Sequence, residues 1–157
     1  MDNNLKTEEI HKEIDLIQSC INRMASNSFM IKGWTITIYA VVLALLSEKV
    51  NILLLCIIML TVTWAFWYLD AFFLQTEKQF RKMYSWVLIE RTKGNRELLY
   101  ELNPFKFKDK ISEVDSIKSV MFSKTLGWFY GIPMIILVCI VAINLMPIIC
   151  CISKHFF

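Results

Sequence analysis

Three long apolar blocks set this chain apart from soluble proteins of the same length. They cover residues 29–47, 52–74 and 126–152, and their strongly polar side chains are Lys32, Asp70 and Asn144. An α-helix needs about 20 residues to cross the hydrocarbon layer of a bilayer, because each residue adds about 1.5 Å. With 56% of its 157 residues hydrophobic, the chain is predicted to be an all-α integral membrane protein with three transmembrane helices.

Lysine and arginine residues are concentrated between the second and third blocks. Eleven of them lie within residues 75–125, against three within residues 1–28. Because cytoplasmic segments of membrane proteins are enriched in these cations, both segments are predicted to be cytoplasmic and the C-terminus outside. The N-terminal residues show no apolar core followed by a cleavage site, so we expect no cleavable signal. The predicted location is the inner (plasma) membrane of a bacterium.

Helical apolar spacing continues beyond the first two blocks. Before the first block it forms a heptad pattern, here called the seam, whose members are Ile10, Ile14, Ile17, Ile21 and Met24. A second stripe extends the second block as far as Gly94, a natural helix stop. The turn at residues 48–51 lies midway, so residues 7–93 are predicted to form two antiparallel helices of about 40 residues each. The seam either packs these two helices together or also recruits neighbouring copies.

Four segments follow from these patterns. They are a cytoplasmic stalk helix (1–28), a transmembrane hairpin (29–74, with helices 29–47 and 52–74), a cytoplasmic stalk and amphipathic segment (75–125) and a third transmembrane helix (126–152). Within the third segment, residues 96–102 and 111–120 are predicted to be helical. Its lysines beside aromatic residues indicate contact with anionic lipid, and they are Lys106, Lys108 and Lys110. The segment also holds seven acidic residues, so direct binding of nucleic acid is not expected.

Polar side chains within the apolar blocks form the candidate functional site. An ionisable group at the centre of a bilayer costs roughly 2.5–3.5 kcal/mol. Folding the chain about the turn places Lys32 opposite Trp67 and within one helical turn of Asp70, so an ion pair, or the ammonium stacked on Trp67, is predicted. The full predicted set is Lys32, Thr35, Tyr39, Thr63, Trp67, Asp70 and Asn144. These residues line either a hydrogen-bonded helix interface or a partly hydrated path in an oligomer.

Two further expectations concern residues in the blocks. Asn144 is expected to form a hydrogen bond across helices. Aromatic residues near the block ends are expected to be anchors at the level of the lipid headgroups, and they are Trp34, Trp67, Tyr68, Trp128 and Tyr130.

Side chains typical of catalytic or metal sites are sparse. The two histidines, His11 and His155, are predicted on opposite sides of the membrane. The five cysteines form no C-x-x-C pair, and no glycine-rich phosphate loop is present. We therefore expect no enzymatic activity, no cofactor and no metal.

Three motifs resemble those of a known group of proteins. They are Arg23-Met-Ala-Ser-Asn-Ser-Phe29-x-x-Lys32-Gly33-Trp34, Asn103-Pro104-Phe105 and Ser123-Lys124-Thr125-x-x-x-Phe129-Tyr130-Gly131. Together they resemble a family of small bacterial multi-helix inner-membrane proteins, which are in turn similar to membrane accessory proteins of phage-defence and CRISPR systems. The resemblance implies an all-helical membrane protein and permits a role in defence, and it supplies no catalytic residue.

The expected function follows from these points. The chain is expected to be a homo-oligomeric inner-membrane protein that contacts the lipid bilayer and perturbs its permeability when a cytoplasmic protein partner or signal engages the stalk. The alternative is a passive membrane anchor or regulator for a soluble partner, without pore activity.

Overall fold

The fold is built from a few long helices. A computed structural model describes residues 2–46 and 51–156. The described residues form helices α1 (Asp2–Leu46), α2 (Ile52–Thr92), α3 (Ile117–Met121) and α4 (Lys124–Phe156), with a 3-10 helix at Pro104–Phe107. They contain no β-strand, which confirms the all-α prediction for this part of the chain. Glu48, Lys49 and Val50 of the predicted turn lie outside the described residues.

Among the described residues, three helices are long and apolar enough to cross a membrane. The spans that satisfy both criteria are Thr7–Ala44, Ile52–Thr92 and Lys124–Met146. Many of their large apolar side chains, among them Ile36, Ile57 and Ile135, are exposed on the protein surface. An exposed apolar surface of this extent is typical of contact with lipid rather than water. Length, composition and surface together indicate a membrane protein.

Both ends of α2 are fixed by local interactions. At the start, the Asn51 side chain accepts a hydrogen bond from the backbone N–H of Leu53 at 2.8 Å, as an N-cap does. At the end, Gly94 has a φ of 80°, a left-handed conformation that favours glycine. The N–H of Asn95 then donates to the carbonyl of Glu90 at 3.0 Å. The predicted helix stop at Gly94 is therefore confirmed.

The chain divides into two compact units. The first unit comprises Met1–Phe29 and Phe72–Val120, and the second comprises Met30–Ala71 and Met121–Phe157. The core of the first unit consists of Ile17, Ile21, Phe80, Met83, Val87 and Phe107. In the second unit, a core cluster is formed by Cys56, Met59 and Leu137.

The seam lies partly inside the core of the first unit. Ile17 and Ile21 are almost completely buried there, and Met24 packs against the same cluster. Ile10 and Ile14 are half-buried. Packing within one chain therefore accounts for the middle of the seam, and this burial requires no second copy.

Two predicted helices in the first unit are absent or shortened. Residues 97–100 form turns, with Leu98 and Tyr100 at φ of 55° and 60°, so the helix predicted at 96–102 is wrong. Of the helix predicted at 111–120, only the part from Ile117 onward is helical.

Side chains of α2 explain both departures, because they bind backbone carbonyls that a helix would use. Arg91 donates to the carbonyls of Asn95 at 2.7 Å and Glu97 at 3.1 Å. Gln75 donates to the carbonyl of Asp115 at 2.9 Å, and Lys82 to that of Ser112 at 3.2 Å. The Asp115 side chain in turn pairs with Lys78 at 2.7 Å, and the hydrogen bond from this ammonium lowers the pKa of the Asp115 carboxyl.

Candidate functional site

The centre of the site is an ion pair in the second unit. Lys32 Nζ on α1 lies 2.6 Å from Asp70 Oδ2 on α2. The Asp70 side chain is 0% exposed, whereas that of Lys32 is 24% exposed. The structure therefore contains the ion pair that the spacing of the apolar blocks predicted.

A third helix contributes Tyr130 to the same carboxylate. The Tyr130 hydroxyl on α4 donates to Asp70 Oδ2 at 3.0 Å, and Thr35 lies close to it. Tyr130 is completely buried, so its side chain is not exposed as that of an anchor at the lipid headgroups would be. The physical reason is that its hydroxyl satisfies a buried carboxylate, which water cannot reach.

Trp67 covers this cluster and does not serve as an anchor at the membrane surface. It is 5% exposed, and its indole Nε1 donates to the carbonyl of Met121 at 2.9 Å. Its ring stacks on Tyr130, with centroids 6.2 Å apart and planes inclined by 15°. The anchor expectation is therefore wrong for Trp67, because a buried carbonyl satisfies its N–H. Trp34, Tyr68 and Trp128 are exposed, as an anchoring role requires.

Further hydroxyl groups of the predicted set lie between α1 and α2. Thr63 Oγ1 donates its one hydrogen to the carbonyl of Met59 at 2.6 Å. In the short contact between Tyr39 and Thr63, the Tyr39 hydroxyl is therefore the donor. Thr35 donates to the carbonyl of Ile31 at 2.8 Å. Thr35 and Thr63 are both buried. The structure thus brings together every member of the predicted set except Asn144.

Asn144 bonds to its own helix instead. Its Nδ2 donates to the carbonyl of Ile140 at 2.8 Å, so the expected bond across helices is wrong. A side-chain amide in an apolar helix can satisfy its donor on the carbonyl four residues earlier, which removes the need for a partner helix.

Lys32, Asp70 and Tyr130 together form what we call the polar latch. Its charges balance, and its members come from three helices. Asp70, Thr35 and Thr63 are buried between the helices and do not line the outer surface of the chain. The arrangement therefore holds α1, α2 and α4 together, because removing one partner leaves a buried charge or donor unsatisfied.

The contribution of Tyr130 can be measured with a matched pair of variants. Tyr130→Phe removes only the hydroxyl, and a hydrogen bond to a charged group is worth about 1.5–3 kcal/mol. We expect Tyr130→Phe to lower the free energy of unfolding by about that amount in a detergent titration. The control, Tyr68→Phe, alters an exposed tyrosine of α2 and should change little. Equal effects of the two variants would contradict this role for Tyr130.

Most basic side chains of residues 72–120 are held in ion pairs. Seven of the ten have a carboxylate partner, namely Lys78, Arg81, Arg91, Lys93, Arg96, Lys106 and Lys110. Of the three lysines predicted to face lipid, Lys106 pairs with Glu101 and Lys110 with Glu97. Lys108 is exposed. Contact of these lysines with lipid stays a prediction.

A buried ion pair in the first unit was not predicted. Arg91 Nε and Nη2 lie 2.7 Å and 2.8 Å from the two carboxylate oxygens of Glu13, and both side chains are almost fully buried. Glu13 Oε1 also accepts the backbone N–H of Tyr100 at 3.0 Å. The sequence contains one indication that Glu13 is buried. It precedes the seam residue Ile17 by four positions and therefore lies on the same face of the helix.

Possible metal ligands do not cluster in the described part of the chain. There, no group of three or more histidine, cysteine, aspartate or glutamate side chains could hold a metal ion. The side chains of Cys150, Cys151 and His155 lie outside the description. No protein-family model matches the chain, and no curated protein and no solved structure matches it either.

Proposed function

We propose that this chain is an integral protein of a bacterial inner membrane in which the polar latch keeps a closed state until a cytoplasmic partner or signal acts on the first unit. In this proposal α1 and α2 form an antiparallel hairpin, the N-terminus is cytoplasmic and the C-terminus outside. Release of the latch perturbs the permeability of the membrane, as expected for a defence effector or accessory protein.

The observation that carries this proposal is the complete burial of Asp70 within an apolar helix. Its side chain is 0% exposed and has Lys32 as an ion-pair partner. Ionisable groups at membrane depth are costly, and they are usually found where a membrane protein carries out its function. An ion pair that served packing alone could be replaced by two apolar side chains of similar volume with little loss of stability.

In this proposal, ions cross the membrane through an assembly of several copies of the chain. Asp70 and Tyr130 of the latch are buried inside one chain, so they can line a path only after the helices move apart. Thr35, Tyr39 and Thr63 then supply hydroxyl groups along the newly exposed surface. The seam, the candidate contact between copies, would contribute its half-buried residues Ile10 and Ile14.

The second candidate is a passive anchor or regulator for a soluble partner. It is favoured by the closed packing of a single chain, in which both the middle of the seam and the buried hydroxyls are satisfied internally. Such a protein needs neither a second copy nor a moving latch.

Reconstitution into dye-loaded liposomes tests the two candidates. Asp70→Asn keeps the shape of the side chain but removes the ion pair, so the proposal predicts dye release without any partner, whereas the unaltered chain stays tight. The control is Thr37→Val, which removes an exposed hydroxyl that donates within α1, to the Gly33 carbonyl at 2.9 Å. It should stay tight as well.

The remaining outcomes of this experiment also decide between the candidates. If Asp70→Asn and Thr37→Val both stay tight while helicity and insertion are normal, the latch does not control permeability and the anchor is favoured. If both variants leak, the leak reports general damage to the helices and the proposal fails.

A further inference from the structure

A basic cavity lies in the first unit, and none of the residues that line it belongs to the polar latch. Its volume is about 380 Å³, and its wall includes Arg81, Lys82, Ser85, Trp86, Lys110 and Ser112. No aspartate or glutamate belongs to this wall among the described residues. Three cations and two hydroxyl groups therefore surround one open space.

Arg81 offers unused donors to this cavity. Its Nε donates to Glu77 at 2.7 Å, but no hydrogen bond within the described residues engages its two terminal nitrogens. The Arg81 side chain is 61% exposed, so these nitrogens are open to a ligand. The planar guanidinium presents parallel N–H groups that match the oxygens of a phosphate or carboxylate.

Lys82 and Lys110 complete the set of cations. Lys82 Nζ donates to the backbone carbonyls of Ser112 and Glu113, which leaves one of its three N–H donors for a ligand. No ion pair links Lys82 to a carboxylate in the described part of the chain. Lys110 Nζ stands 5.6 Å from the centre of the Trp86 ring, and its carboxylate partner, Glu97, is itself largely exposed.

We propose that this cavity binds a phosphate group. A phosphate carries more charge than a carboxylate and has more acceptor oxygens, and so it suits a site with a guanidinium, two ammonium groups and two hydroxyls. The indole of Trp86 and the side chain of Ile89, which also lines the cavity, provide an apolar wall for the organic part of a phosphate ester. The ester is either a soluble molecule or the headgroup of a phospholipid. The site does not depend on the function proposed for the latch.

Calorimetry on the full chain in a neutral detergent tests this site, with inorganic pyrophosphate as the probe. We expect binding that weakens as salt is added, and a loss of affinity of about tenfold or more in Lys82→Gln, because a hydrogen bond to a charged group is lost. Lys82→Arg should retain binding. The matched control is Lys118→Gln, which removes the same charge from an exposed lysine of the same unit, outside the cavity.

A second titration identifies the source of the phosphate. It uses water-soluble dihexanoyl phosphatidic acid, with dihexanoyl phosphatidylcholine as its neutral counterpart. Binding of pyrophosphate alone supports a soluble ligand, and binding of the phosphatidic acid alone supports a lipid headgroup. The proposal is overturned if neither probe binds, or if Lys118→Gln weakens binding as much as Lys82→Gln does, because the attraction would then be a property of the whole surface.

Discussion

Lys32→Leu is expected to lower the free energy of unfolding by about 3–5 kcal/mol, the usual cost of leaving one member of a buried ion pair without its partner. Asp70 is 0% exposed, so water cannot replace the lost ammonium. Asp70→Asn should cost much less, because Lys32 is 24% exposed and can turn its ammonium toward water. Unfolding of the detergent-solubilised chain by sodium dodecyl sulfate, followed by circular dichroism, measures each variant.

The double variant Lys32→Leu/Asp70→Asn gives the sharper test. It contains neither charge, so it should be nearly as stable as Asp70→Asn alone, and the two single effects should be far from additive. Lys12→Leu is the control, because it makes the same substitution at an exposed position of α1. If Lys32→Leu costs no more than Lys12→Leu, the ion pair does not stabilise the protein in the way described.

Glu13→Ala is expected to have an effect of similar size in the first unit, again about 3–5 kcal/mol. It leaves Arg91 buried without a carboxylate and removes the acceptor of the Tyr100 N–H. Residues 97–100 have no helical hydrogen bonds, so their position depends on the contacts of Glu13 with Arg91 and with the Tyr100 N–H. In hydrogen exchange of the full chain, the amide of Tyr100 should lose its protection first.

Two further substitutions serve as a conservative variant and a control for Glu13→Ala. Glu13→Gln keeps one acceptor oxygen and should retain part of the protection at Tyr100. Asp15→Ala removes an exposed acid two residues away and should change stability by less than about 0.5 kcal/mol. Trypsin offers a second readout, because cleavage after Arg96 should accelerate in Glu13→Ala alone. Unaltered exchange at Tyr100 in Glu13→Ala would show that other contacts hold this segment.

The long helices and the Lys32–Asp70 pair could be predicted from the sequence because both depend on spacing along the chain. The apolar blocks fix where α1, α2 and α4 lie, and Gly94 marks the end of α2. Once the turn is placed midway between two helices, residue 32 must lie near residue 70. Local rules of helix geometry are sufficient for these predictions.

The contacts between residues that are far apart in the sequence could not be predicted in this way. Tyr130 and Trp67 are typical of the membrane surface by residue type, yet each finds a buried acceptor, Asp70 Oδ2 and the Met121 carbonyl respectively. The position of α4 against the first two helices decides this, and no local pattern encodes it. The helix predicted at residues 96–102 was wrong for a related reason. Apolar spacing alone favours a helix there, but Arg91 binds the backbone carbonyls of Asn95 and Glu97.

The paired state of the cations between residues 72 and 120 has a consequence for the order of events during synthesis. The insertion machinery responds to lysine and arginine while acidic residues contribute little, so a nascent chain would be oriented by all ten cations of this segment at full strength. After folding, seven of them share their charge with a carboxylate. In the proposed orientation these residues would act on the unfolded chain with their full charge, whereas in the folded chain the paired cations would attract anionic surfaces less strongly and the remaining attraction would be concentrated at the basic cavity.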